Sequence, residues 1–337
     1  MNTQITKGVS YESEPILQVR GLCKTFVLRK SLIRQMVGIR PDYLRAVHNV
    51  NMDIYSGECL GLVGESGCGK TTLGRCILRL YEPDAGQVLY KGKDFLKMKG
   101  DEILQMRRIM QVVFQDPYSS LNPRQITQDI IGEPSLVHKI STKKEIIDRV
   151  ADLLSLVGLN PEIMVRYPHE LSGGQRQRVG LARALSVNPK LIIADEPVSA
   201  LDVSIQAQVI NLLLDLQEKL NLTMLFITHD LRLVKYVSHR IAVMYLGNIV
   251  EMATSDEIFS DPLHPYTRAL LNAAPNINPR LRKTTEPIKG EPQSPINMGN
   301  GCPFYTRCEL STSICAEQEP QLREVRPGHF VACYLVQ

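Results

Sequence analysis

The chain is 337 residues long, more than one domain usually takes and fewer than three, and its 39 Lys+Arg against 35 Asp+Glu leave a net charge of only +4. That balance lacks the basic excess of a nucleic-acid binder, and 44% hydrophobic residues exclude disorder as a description of the whole. No run approaches the roughly 20 apolar residues that span a bilayer, and MNTQITKGVSYESEP has no apolar segment of a secretory signal, which predicts a soluble, intracellular protein.

Ile16 to Phe26, ILQVRGLCKTF, reads as a strand that runs into a basic stretch, Val27–Arg45. Cys59 to Lys70, CLGLVGESGCGK, is an apolar strand closing in a Gly-rich loop, and Thr71 to Leu80 continues with helical spacing. IMQVVFQ, Ile109–Gln115, is another apolar run, ended by Asp116-Pro117. From Gln125 to Ser186 the pattern is mostly helical, and KKEIIDRVADLLSLVGL stops at Gly158. LIIAD, TMLFITH and RIAVMYLG are three further short apolar runs, the first two separated by the amphipathic SIQAQVINLLLDLQEKL. Strands alternating with helices predict an α/β core with a largely parallel sheet, and the helical block interrupts it as an inserted subdomain. After about Asp261 prolines become frequent, which predicts a loop-rich appendage.

Gly64-Glu65-Ser66-Gly67-Cys68-Gly69-Lys70-Thr71 fits G-x-x-x-x-G-K-[ST] between a strand and a helix, with Thr72 next in the helix. The glycines let backbone N–H groups wrap a phosphate, and the helix start adds its positive dipole end. Lys70 is placed to reach the β- and γ-phosphates and the Thr71 hydroxyl to ligate Mg²⁺. In LIIADE, Asp195 emerges at the C-terminal end of a strand, where it would hold Mg²⁺ through water. Glu196 follows, where a carboxylate can orient and polarise an attacking water. Many strands end in acids, but paired with the phosphate loop this one defines a P-loop NTPase, an α/β protein with a RecA-like core.

Leu171 to Gln175, LSGGQ, opens the helical run RQRVGLARAL. A Ser-Gly-Gly turn at a helix start is a second anion site, or an ordinary N-cap with Ser172 as the cap residue. Two phosphate-binding helix starts with one lysine-bearing loop suggest a dimer in which each second site completes the other subunit's pocket.

The phosphate loop, Gln115 in VVFQDP, LSGGQ, LIIADEP, Ser199-Ala-Leu-Asp202 and His229 in FITHD occur in the order in which the sequence resembles the ATP-binding cassette ATPases, over nearly its whole length. The resemblance implies ATP with Mg²⁺ as the ligand and Glu196, His229 and Gln115 as the catalytic set. Gln115 would contact Mg²⁺ and the attacking water, and His229 the γ-phosphate. Asp202 would lie at the dimer seam, and Ser172, Gly173, Gly174 and Gln175 against the opposite subunit's ATP. Phe26 sits where the family places an aromatic that stacks on adenine, although a phenylalanine ending a strand also fits a core. Cys68 stands where a serine is frequent and contributes mainly its backbone.

DPLHPYTRALL at Asp261–Leu271, SPIN at Ser294–Asn297 and GCPFYTRC with the later PGHFVAC resemble the C-terminal extension of oligopeptide/dipeptide importer ATPases, nearest to the subunit lettered F. The implied division is a nucleotide-binding domain over 15–262, with its helical subdomain about 119–186, and a small cysteine-rich extension over 263–337. Cys302, Cys308, Cys315 and Cys333 have the spacing C-x5-C-x6-C-x17-C, able to close a site for a [4Fe–4S] cluster or Zn²⁺. Family members are associated with a [4Fe–4S] cluster there, and the spacing lacks the C-x2-C pairs of zinc ribbons. Cys23, Cys59, Cys68 and Cys76 read as small buried hydrophobes or neutral loop residues.

The resemblance further implies a homologous second ATPase subunit in a heterodimer, two transmembrane permease subunits, an extracytoplasmic solute-binding protein, no nucleic acid, and a peripheral place on the cytoplasmic face of the inner membrane. The basic stretch Val27–Arg45 is then either a membrane or permease contact or a solvated loop with a short helix. Relatives that import nickel, glutathione or oligosaccharides leave the solute open. A soluble cassette ATPase working on DNA or ribosomes is the other reading, which the near-neutral charge disfavours.

Overall fold

The computed structural model describes residues 14–28, 41–273, 290 and 293–336. Its strands in chain order are β1 (Leu17–Leu28), β2 (Asp42–Ile54), β3 (Cys59–Val63), β4 (Ala85–Tyr90), β5 (Lys93–Asp94), β6 (Met110–Val113), β7 (Leu191–Asp195), β8 (Thr223–Thr228), β9 (Arg240–Tyr245), β10 (Asn248–Thr254), β11 (Arg323–Arg326) and β12 (His329–Val331). The helices are α1 (Lys70–Ile77), α2 (Asp101–Ile109), α3 (Pro117–Ser120), α4 (Thr127–Val137), α5 (Ile146–Leu156), α6 (Gly173–Leu185), α7 (Val203–Leu220), α8 (Leu231–Val237), α9 (Ser255–Ser260), α10 (Pro265–Ala273) and α11 (Ser313–Glu317). Two compact units form: one from Ile54–Cys59 and Asp94–Ile227, the other from Leu17–Asp53, Leu60–Lys93 and the described part of Thr228–Gln337.

In the first unit β6, β7 and β8 pair in parallel, with Leu191 opposite both Met110 and Thr223. Every residue of β7 and β8 is buried, as the unbroken apolar runs of parallel strands require. Around them α4, α5 and α6 pack on one another. A Cβ on Gly132 of α4 would come within 2.8 Å of Ile146 of α5, so the two helices close tightly there. Helix α5, within the segment expected to be helical, buries Ile146, Val150, Leu153 and Leu154, and the chain leaves it through Gly158 at φ +68°. Ser135 and Arg149 both donate to the carbonyl of Ser186, at 2.7 and 2.6 Å, and so satisfy the C-terminal end of α6.

The second unit corrects the expectation of a largely parallel sheet. One four-stranded sheet runs β2–β1–β4–β5, with β1 and β4 antiparallel and a register shift between Arg20 and Cys23. In the other sheet β3 and β9 are parallel, but β9–β10, β10–β12 and β11–β12 are antiparallel. The reason lies in Leu246 and Gly247, at φ +41° and +85°, a two-residue turn whose twist matches a hairpin and sends the chain straight back as β10. Of the basic stretch Val27–Arg45, residues 29–40 lie outside the described residues.

The described part of the C-terminal segment after residue 290 is mostly turn and loop around three short elements, α11, β11 and β12, and several of the prolines behind the expected loop-rich appendage lie outside the described residues. The SPIN segment pairs with β2: Arg45 N donates to Pro295 O (3.1 Å), Asn297 N to Tyr43 O (2.9 Å) and Tyr43 N to Asn297 Oδ1 (3.0 Å). Tyr245, Tyr266 and Phe304 form a fully buried aromatic group with centroids 4.5–5.4 Å apart. Glu251 of β10, wholly buried, accepts from the amides of Leu263 (2.7 Å) and His264 (3.0 Å) and pairs with His329 Nε2 (2.8 Å).

His264, 2% exposed, accepts from Tyr266 N at 3.0 Å through Nδ1, and burial pushes its pKa down to about 3. An unfolded histidine titrates near 6.5, so below that pH the unfolded chain binds a proton that the folded one refuses. Stability present above pH 6.5 is therefore lost as pH falls toward 3, by about 1.4 kcal/mol per pH unit from this group. Urea unfolding at pH 7 and 5.5 is expected to show the drop, and His264→Gln to flatten it; equal pH slopes in the two proteins would refute the assignment.

Candidate nucleotide-binding site

In the second unit, buried β3 delivers the phosphate loop to the start of α1. Lys70, 5% exposed, donates its Nζ to the carbonyls of Gly64 (2.8 Å) and Glu65 (3.0 Å), which holds the ammonium at the loop. Gly69 has φ +108°, and a Cβ there would sit 2.0 Å from the Ala46 carbonyl, so only glycine fits. Ser66 and Gly67 are exposed at the tip, and Thr71 and Thr72 are half-buried on the first helical turn. The Cys68 side chain is 3% exposed, and burial raises its thiol pKa against the opposing pull of Lys70, leaving a neutral thiol that packs. Gly247 N donates to the Cys68 carbonyl at 2.8 Å.

Glu65 is anchored by Tyr266 and Arg307, two residues outside the cassette motifs. Its amide donates to the Tyr266 hydroxyl at 3.0 Å, and its carboxylate pairs with Arg307 Nη1 at 3.1 Å. A carboxylate inside a loop built for polyphosphate was the available signal that a countercharge must lie nearby. His229, also in this unit, is exposed directly after β8, between Thr228 and the helix cap Asp230, whose amide donates to Thr228 Oγ1 at 3.0 Å. Phe26 is half-buried at the end of β1, edge-on to Tyr81 at 5.6 Å.

In the first unit, Asp195 closes β7 with 5% exposure, and Glu196 turns the chain at φ +47° with its amide bonded to Ile227 O at 2.9 Å. A left-handed glutamate is a strained backbone position, and strain of this kind is held where it aims a side chain. The Glu196 carboxylate accepts from Gln115 Nε2 at 2.9 Å, so two of the three expected catalytic residues touch. Ser172 and Gln175 make a reciprocal capping box at the start of α6: Ser172 N donates to Gln175 Oε1 (2.9 Å) and Gln175 N to Ser172 Oγ (3.3 Å). Ser172 is thus an N-cap whose residue remains exposed, with Gly173 half-buried behind it. A Cβ on Gly174 would meet Ile205 at 2.5 Å, which fixes the close approach of α6 to α7. Asp202 is exposed at the cap of α7, its carbonyl accepting from Ile205 and Gln206.

In the first unit Gln115 and Asp195 carry amide and carboxylate oxygens, and in the second Thr71 carries a hydroxyl; each is a hard donor of the kind Mg²⁺ takes. None of the eight cysteines is in a disulfide. Cys315 and Cys333 are buried and Cys302 and Cys308 half-buried, and Cys302 N donates to Cys315 O at 2.7 Å. Burial pushes the Cys302 thiol up to about 12 and raises Cys308 as well. As they stand the thiols do not make a closed metal shell: among the described residues no group of three or more His, Cys, Asp or Glu is drawn together to hold a metal ion. Among the same residues no helix is long and apolar enough to cross a membrane.

A P-loop, a capped signature helix and an acidic strand end paired with a glutamine define a cassette-type ATPase, and residues 47–199 match the family described as ABC transporter. Residues 250–315 match the C-terminal region of oligopeptide/dipeptide transporters. The chain is 50% identical to the oligopeptide transport ATP-binding protein AppF of Bacillus subtilis over 96% of its own length and 98% of that protein's. It is equally identical to a putative peptide import ATP-binding protein of Brucella ovis, covering 95% and 97% of the two chains. Among solved structures it resembles the ATP-binding cassette MJ0796 in a dimeric, post-hydrolysis state bound to ADP and Pi, with TM-score 0.62, 28% identity, and coverage of 71% of this chain and 98% of that one. The chain belongs to the ATP-binding subunits of the oligopeptide/dipeptide ABC transporter family.

Proposed function

We propose that this chain energises a membrane importer of peptides, and the match of residues 250–315 to the oligopeptide/dipeptide transporter C-terminal region is the observation that carries the reading. The relatives named for peptide import at 50% identity support it. In this reading residues 15–262 are the nucleotide-binding domain, the helices of about 119–186 are an inserted subdomain that docks on the permease, and 263–337 is a small cysteine-rich extension. The subunit pairs head to tail with a homologous ATPase and works with two permease subunits and an extracytoplasmic binding protein. It sits peripherally on the cytoplasmic face of the membrane.

The site residues divide the work. The phosphate loop, Gly64 to Thr72, binds the polyphosphate through backbone amides and Lys70. Glu196 takes the proton of the attacking water, Gln115 fixes the direction of that carboxylate, and His229 contacts the γ-phosphate. Ser172 to Gln175 and Asp202 present the capped helix start to the opposite subunit's ATP, and Phe26 stacks on the adenine. Thr71, Gln115 and Asp195 would hold Mg²⁺, which when bound neutralises charge on the β- and γ-phosphates. For the tail, a soft four-thiol donor set favours [4Fe–4S], with Zn²⁺ as the alternative, though closing either requires the thiols to draw together and lose their protons.

Purifying the assembled complex tests the proposal. Co-isolation with two multi-span permeases and ATPase activity stimulated by peptide-loaded binding protein is the expected outcome. Stimulation only by nickel, glutathione or an oligosaccharide would move the substrate, and co-isolation with DNA or ribosomes would overturn the importer. Absorbance near 400 nm with stoichiometric iron in anaerobically purified protein is the expected outcome for the tail; iron-free, zinc-loaded protein would refute the cluster.

A further inference from the structure

A carboxylate within the phosphate loop opposes the loop's purpose. Glu65 lies between Gly64 and Ser66, and its carbonyl accepts from Lys70 Nζ, the ammonium meant for the β- and γ-phosphates. An uncompensated negative charge at that distance raises the free energy of a bound polyphosphate. The structure answers with Arg307, whose side chain is 5% exposed and whose Nη1 lies 3.1 Å from Glu65 Oε2 and 3.2 Å from the Tyr245 hydroxyl.

The position of Arg307 is set by the C-terminal extension. It ends a short turn in which Tyr305 N donates to Cys302 O (3.1 Å) and Arg307 N to Phe304 O (3.0 Å). Phe304, 3% exposed, locks that turn against Tyr245 and Tyr266. Tyr266 in turn accepts the Glu65 amide, so both anchors of Glu65 stand on one aromatic group. The group also carries Cys302 and Cys308 on its edge.

We propose that Arg307, with Tyr266, is a positioning residue of the phosphate loop: it neutralises and holds the Glu65 carboxylate, so that the extension sets the affinity of the loop for nucleotide. Resting on ATP binding at this loop, the inference adds that a segment outside the cassette motifs is part of the nucleotide site. It also gives the extension a direct route to the chemistry, because anything that shifts the Cys302–Cys308 turn moves the guanidinium off Glu65.

The test is equilibrium binding of a fluorescent N-methylanthraniloyl ATP to the full-length chain. Arg307→Ala is expected to weaken binding about tenfold, equivalent to 1.4 kcal/mol, with a smaller loss at high salt because the opposing charge is partly screened. Arg307→Ala combined with Glu65→Gln is expected to return to within about twofold of the unmodified protein, since the carboxylate that needed compensation is gone. Unchanged binding in Arg307→Ala, or a loss that Glu65→Gln fails to rescue, overturns the proposal. Should Arg307→Ala not fold by thermal melting, Arg307→Lys and Tyr266→Phe carry the test. The first keeps the charge and should bind within about threefold, the second should weaken binding by a similar factor, and wild-type affinity in Tyr266→Phe with a tenfold loss in Arg307→Lys would refute it. Lys70→Ala isolates the underlying reading: if it binds nucleotide as tightly as the unmodified chain, ATP binding at the loop fails, whatever Arg307 does.

Discussion

Glu196→Gln is expected to lower the maximal ATPase rate of the assembled complex by about 10²–10⁴-fold, the usual contribution of a positioned general base, while ATP binding stays within about threefold. The separation follows from the geometry. Glu196 accepts from Gln115 Nε2 at 2.9 Å, and a glutamine at 196 keeps an oxygen that can accept the same bond. Its left-handed backbone is fixed by the bond from its amide to Ile227 O, which the substitution does not touch. Only the capacity to take a proton is lost. Single-turnover hydrolysis beside equilibrium ATP binding measures the two quantities separately, and hydrolysis retained to within tenfold would remove Glu196 as the base. Gln115→Ala should cost less, about tenfold, because it loosens the carboxylate without removing it. By contrast Lys70→Ala should fail at binding, and the two variants together distinguish a lost cradle from a lost base.

The motifs were legible because each is local. A strand, a glycine-rich turn and a helix start lie within twelve residues around Lys70, and Ser172 and Gln175 cap their own helix three residues apart. The 3.6-residue stripe of α5 and its stop at Gly158 were equally plain. What could not be read is what distant segments do for one another. The antiparallel half of the second unit turns on Leu246 and Gly247, and the apolar run RIAVMYLG was read through that turn as one element. The pairing of β1 with β4 joins Leu17 to Tyr90, a register no local pattern specifies. Arg307 sits 242 positions from Glu65, between two cysteines of the C-x5-C spacing, and no local pattern ties it to the phosphate loop. Pro265 starts α10, where a missing N–H costs nothing, so proline frequency after Asp261 does not by itself mark where α10 ends and the loops begin.

Glu251→Ala is expected to destabilise the chain by about 3–5 kcal/mol, the cost of breaking a buried charged group away from its partners. Glu251 is wholly buried on β10, and its two oxygens gather the amides of Leu263 and His264 and the ring of His329. Alanine leaves all three without an acceptor in a dry interior, and each orphaned donor adds its own desolvation cost. Glu251→Gln keeps one acceptor and should lose less, about half as much. The consequence extends beyond stability, because the same residues carry the start of α10 and the strand β12. Loosening them frees Tyr266, and with it the amide anchor of Glu65. Urea unfolding with limited proteolysis reads both effects: the midpoint should fall, and cleavage should appear after residue 261 before the cassette opens. A loss below about 1 kcal/mol would mean that the network is not the anchor of the extension. Early cleavage together with weakened ATP binding is expected if the extension and the phosphate loop are one mechanical assembly, and cleavage with unchanged binding would separate them.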